Sequence, residues 1–195
     1  MLRSTLLVCL AFATAVSAAT FDPLPAEPKA KPNGLLLKVV QYEGSTNGSI
    51  TVDIKNPTGA PVEFAAQGLF FVPDVNPDQA PQRLGAVGPF VSKRRPERAE
   101  KVSIEAGKTE RLTLDVYCID SHRPSPSSST PFRVGKERMP PKLSQTIDVN
   151  SKAAAQPYGG VAAPRAKGTV QSEVWKSRDE KWIKLDGEGK QEAGK

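Results

Sequence analysis

Cys118, Asp120 and His122 alternate along a stretch that reads as a β-strand, which would place a thiol, a carboxylate and an imidazole on one face. Such a trio could ligate a metal, or pair a thiolate nucleophile with a base. His122 is the single histidine of the chain, and Cys118 is the single cysteine once Cys9 leaves with the leader described below. A zinc site would need further nitrogen or sulfur ligands, and the sequence has none to offer. The Pro- and Ser-rich loop at 121–131 is also a poor support for a catalytic base. These residues therefore read first as a strand-end cysteine closing a core, followed by a solvated loop. No metal, cofactor or catalytic residue is expected. A cysteine-dependent enzyme is the alternative that rests on this trio.

Tyr117-Cys118-Ile119 has a second candidate partner in Val170-Gln171-Ser172-Glu173-Val174-Trp175. Val170, Val174 and Trp175 fall at helical spacing, so a helix would dock them and carry Gln171 on its flank. Together the two motifs also resemble those of bacterial thioester adhesin domains, an aromatic-Cys-apolar triplet and a later Gln-x-x-(Ile/Val)-Trp. The resemblance implies that the Cys118 thiol condenses with the Gln171 carboxamide and releases ammonia. The thioester so formed would accept an amine from a host surface.

A broader resemblance spans roughly residues 35–180. Asn56-Pro57-Thr58, Gly68-Leu69-Phe70-Phe71, Ala106-Gly107-Lys108-Thr109, Cys118-Ile119-Asp120 and the Gln171–Trp175 motif follow an outline similar to that of uncharacterised exported bacterial immunoglobulin-like β-sandwich proteins. It implies that fold and names no ligand.

Lys93, Arg94, Arg95, Arg98 and Lys101 form the most basic stretch, offset in part by Glu97 and Glu100. Such a cluster could hold a polyanion through sulfate or phosphate contacts, or serve as a solvated connection between strands. The formal charge of +6 favours solubility and weak attraction to anionic surfaces. No nucleic-acid-binding motif accompanies it. The expected partner is a protein or an acidic glycan at a cell surface.

The elements that must position these residues begin after the leader. Residues 1–19 place Arg3 before an apolar run and end in small residues, which is the pattern of a secretory signal peptide. The run is too short to span a bilayer, and no other stretch reads as a membrane segment. The expected location is secreted or periplasmic. Residues 20–34 read as a proline-rich tether and 35–149 as a β-sandwich domain. Residues 150–168 read as an Ala/Pro/Gly linker, 169–185 as a short helix packing on the sandwich, and 186–195 as a disordered tail.

Within the domain, Ile50, Val52 and Ile54 alternate onto one face, as do Leu112, Leu114, Val116 and Cys118. The stretch 101–120 reads as a hairpin turning at Ala106-Gly107-Lys108. About seven such strands separated by turn signals predict a mainly β fold, an antiparallel immunoglobulin-like β-sandwich with a short C-terminal helix. The expected function is that of an exported, non-enzymatic binding or structural module.

Overall fold

The alternating rows become strands in a computed structural model that describes residues 20–27, 29–44, 46–92, 95–155 and 164–181. The leader, the tail and part of the linker segment lie outside these residues. The described strands are β1 (Asp22–Pro23), β2 (Leu36–Tyr42), β3 (Ser49–Lys55), β4 (Val62–Ala65) and β5 (Phe70–Pro73). They continue with β6 (Leu84–Ser92), β7 (Arg95–Ala99), β8 (Lys101–Ile104), β9 (Thr109–Cys118) and β10 (Phe132–Val134). The main sheet runs β1-β2-β3-β9-β6-β5-β10, with β7 attached to β6, while β4 and β8 form a separate two-stranded ribbon. Every pairing is antiparallel.

The main sheet curls until its ends meet. β10 lies against β2, and the rings of Tyr42 and Phe132 touch edge to face with centroids 5.3 Å apart. An irregularity at Val40 in β2, and another between Val87 and Val91 where β6 passes β9, bend the strands toward this closure. Pro89, which has no N–H to donate, falls in the second of these stretches. The concave side is filled by Ile50, Val52, Ile54, Leu112, Leu114, Val116 and Cys118, the rows legible in the sequence, and by Phe64, Val102 and Ile104 from the ribbon. The result is an antiparallel, sandwich-like β fold whose smaller layer closes the larger one. A bidentate cross-strand pair, Arg111 Nε and Nη2 to the Asp53 carboxylate at 2.6 and 2.8 Å, joins residues that face each other in the β3–β9 register.

The stretch 101–120 is not a hairpin. β8 pairs with β4, while β9 pairs with β3 and β6, so the turn at 105–108 carries the chain from one sheet to the other. Gly107 takes the left-handed conformation that this turn needs, with φ at 70°. Buried Asn56 fastens the crossover. Its Nδ2 donates to Ile104 O and Ala60 O, both at 2.8 Å, and its backbone N donates to Lys108 O at 2.9 Å. The alternation along both strands holds, but a local turn signal does not say which sheet each strand joins.

Two helices cover the convex face. α1 (Pro141–Ala155) starts within the segment read as sandwich and runs into the one read as linker. α2 (Pro164–Lys181) is the C-terminal helix, and it begins before residue 169. Their apolar side chains, Leu143, Ile147, Val170 and Val174, form a second buried cluster with Phe70, Tyr117 and Ile119 from the sheet and Met139 from the connection. The N-terminal segment is partly docked: β1 pairs with β2, and Leu24 is buried. Among the described residues no helix is long and apolar enough to cross a membrane.

Candidate functional site

β9 presents its residues alternately to the two clusters. Leu112, Leu114, Val116 and Cys118 face the sandwich core, whereas Tyr117 and the following Ile119 face the helices. Gln171 of α2 is buried and reaches the strand from the helix side. Its Nε2 donates to Cys118 O at 2.6 Å, and its Oε1 accepts from Cys118 N at 2.8 Å. The carboxamide thus pairs with the Cys118 peptide groups as a neighbouring strand would. Sequence reading singled out both residues, and the structure brings them together through the backbone of one and the side chain of the other. The Cys118 side chain itself belongs to the opposite face.

The thiol is fully buried, and its acidity follows from that. Burial, with a smaller effect from the Asp120 charge, pushes its pKa up to about 12. A thiol held neutral to that pH is a weak nucleophile. Tyr42 lies in the same core, and its phenol is likewise raised, first by burial and then by Cys118 and Glu43.

Cys118, Asp120 and His122 do not line up, because β9 ends at Cys118. Asp120 turns to Arg83. Its Oδ2 accepts from Arg83 N at 3.0 Å and from Arg83 Nε at 2.8 Å, and its Oδ1 accepts from Arg83 Nη2 at 2.6 Å. Buried Arg178 of α2 adds a second cation, 3.8 Å from Oδ1. Burial alone would raise the Asp120 carboxyl, but the hydrogen bonds and charge of Arg83, aided by Arg178, outweigh it and hold the group below its ordinary range. His122 stands exposed in the turn that follows. Among the described residues, no three His, Cys, Asp or Glu side chains cluster as a metal site would require.

Gln171 is one member of a row. Lys167 Nζ lies 2.7 Å from Asp115 Oδ1, and Trp175 Nε1 donates to Gln82 Oε1 at 3.0 Å. Lys167, Gln171, Trp175 and Arg178 follow at three- or four-residue intervals, so one face of α2 carries them all. Val170 and Val174 lie beside that row and are buried. The helix is therefore held by polar bonds directed at β9 and the segments around it as well as by apolar contact. Apolar periodicity marks Val170, Val174 and Trp175 but not Lys167 and Arg178. The same spacing, applied to polar residues, would have picked out the row. Arg83 had no local signal, because its partner lies 37 positions away.

The basic stretch is only partly described. Lys93 and Arg94 lie outside the described residues. β7 sets Arg95 opposite Ser92 and Arg98 opposite Val91 of β6. Lys101 is exposed on β8, 3.4 Å from the Glu63 carboxylate. Glu100 is bound to Lys152 of α1 at 2.8 Å. Trp182, a second aromatic of the C-terminal region, also lies outside the described residues.

Comparison of the chain with protein-family models, with curated proteins and with solved structures finds no match.

Proposed function

We propose that this chain is an exported, non-enzymatic binding or structural module that works in the periplasm or outside the cell. The observation that carries the reading is the state of segment 118–120. Its thiol is sealed in the core, its Cys118 peptide groups are bonded to Gln171, and its carboxylate is neutralised by Arg83 and Arg178. The residues with the best chemical credentials hold the C-terminal helix on the sheet. The leader at 1–19 supports export, and the basic charge suits a protein or acidic glycan at a surface.

One observation favours a second reading. Gln171 meets the Cys118 peptide groups, so an internal thioester would need the end of β9 to rotate and carry the thiol from the core face to the helix side. Gln171 would leave its two backbone bonds, the strand end would turn the thiol to the helix side, sulfur would bond to the carboxamide carbon, and the C–N bond would break, the thiol proton leaving with the nitrogen as ammonia. Intact mass spectrometry of the mature, non-reduced chain separates the two. The module reading requires the mass of a free thiol and a free carboxamide, and cleavage near Ala18 or Ala19 supports export. A mass lower by one ammonia, mapped to Cys118 and Gln171, overturns it in favour of covalent attachment.

A further inference from the structure

On the side of the sheet where β5 pairs with β10, a cleft of about 280 Å³ opens beside the 3-10 turn at Pro77–Gln79. Val72, Pro73, Pro77 and Ala80 give it apolar walls. Arg123, Arg133 and Lys136 stand around it, and Arg83 lies at its base. Two of the four cations are already balanced: Arg83 is bound to Asp120, and Arg133 lies 3.7 Å from Asp74. Among the described residues no carboxylate pairs with Arg123 or Lys136, so the cleft keeps an excess of positive charge.

The walls are pinned by backbone bonds rather than left to loop motion. Arg123 N donates to Asp120 O at 3.0 Å, Gln82 N to Pro124 O at 3.0 Å, and Asp74 N to Pro131 O at 2.8 Å. Arg133 faces Val72 across the β5–β10 pair, so both stand on one face of the sheet. Gly135 lets the chain hug the Phe70 ring before Lys136, since a Cβ at 135 would lie 2.4 Å from that ring.

From this geometry we infer a binding site for an oxyanion carried on a single sugar-sized ring, an acidic saccharide unit. The guanidinium and ammonium groups recognise the sulfate or carboxylate, and the apolar walls take the ring's carbon face. The inference deepens the binding-module reading and rests on it. It concerns a site that shares no residue with the Lys93–Lys101 stretch.

Calorimetric titration of the full mature chain with galactose 6-sulfate and with methyl galacturonide tests it. At least one should bind, ten-fold or more tighter than inorganic sulfate, with methyl galactoside not binding. Arg123→Glu and Lys136→Glu should each weaken binding ten-fold or more while keeping the wild-type circular dichroism. Lys108→Glu, the same charge change at the opposite end of β9, should leave it unaltered. Which ligand binds tells a sulfate ester from a uronic acid. Failure of both to bind, equal binding of inorganic sulfate, or undiminished binding by the pocket variants overturns the site. The mass measurement on Cys118 and Gln171 is independent of it, so loss of this site leaves the module reading standing.

Discussion

The carboxamide of Gln171 satisfies both peptide groups of Cys118, and this pairing decides how the residue should respond to substitution. Gln171→Leu keeps the volume and removes both bonds, leaving Cys118 O without its partner in a buried place. The expected loss is about 1–3 kcal/mol of unfolding free energy, measured by chemical denaturation. Asp120 is the more sensitive position. Asp120→Asn leaves Arg83 and Arg178 buried without their shared carboxylate, and should cost about 3–5 kcal/mol. The same carboxyl gives an acid dependence with a definite sign. Its pKa is lowered in the folded state, so its contribution is complete above about pH 4 and is lost as pH falls through the lower folded value. Denaturation midpoints of the wild type should drop in that acid range, and Asp120→Asn should lack that part of the drop. An equal drop in both would assign it to other carboxylates.

At the scale of elements, two devices determine how the layers meet. The first is the crossover at 105–108, fastened by Asn56. Asn56→Ala removes the side-chain bonds to Ile104 O, Ala60 O and the Thr58 backbone. It should cost about 2–3 kcal/mol with no change in strand content, read by denaturation and far-ultraviolet circular dichroism. The second is the polar row of α2. Lys167 and Asp115 are mostly buried at 18% and 7% side-chain exposure, so a double-mutant cycle with Lys167→Met and Asp115→Asn should return a favourable coupling above the roughly 1 kcal/mol ceiling of exposed pairs. Zero coupling would remove the Lys167–Asp115 pair from the contacts that dock the helix and leave that task to Gln171, Trp175, Arg178 and the apolar side chains.

These devices also mark where sequence reading stops. Alternation named the inward rows of β3 and β9, because a period of two needs no knowledge of partners. It could not say that β8 and β9 part company, since that choice is made by Asn56 and the ribbon partner β4. α1 is hard to read in the sequence because its apolar residues are sparse, Leu143 and Ile147 being the pair that packs inward, although Pro141 at its first position is a favourable helix start. Cys118 and Gln171 were legible as a pair from their motifs. Their actual bonding was not, because it depends on which face of β9 each side chain occupies.

Over the whole molecule, a curled sheet with a core on one side carries two helices on the other, and the thiol is sealed on the inner side of the strand that joins them. On this reading Cys118 serves the core and no chemistry. The most direct test is the rate at which native full-length protein reacts with a thiol reagent as pH is raised. With a pKa pushed up to about 12, Cys118 should react only as fast as the chain unfolds, and fully once denaturant is added. Rapid labelling of the native protein, titrating near the value of about 8.5 expected of a free thiol or below it, would show a reactive, accessible thiol in place of a buried one.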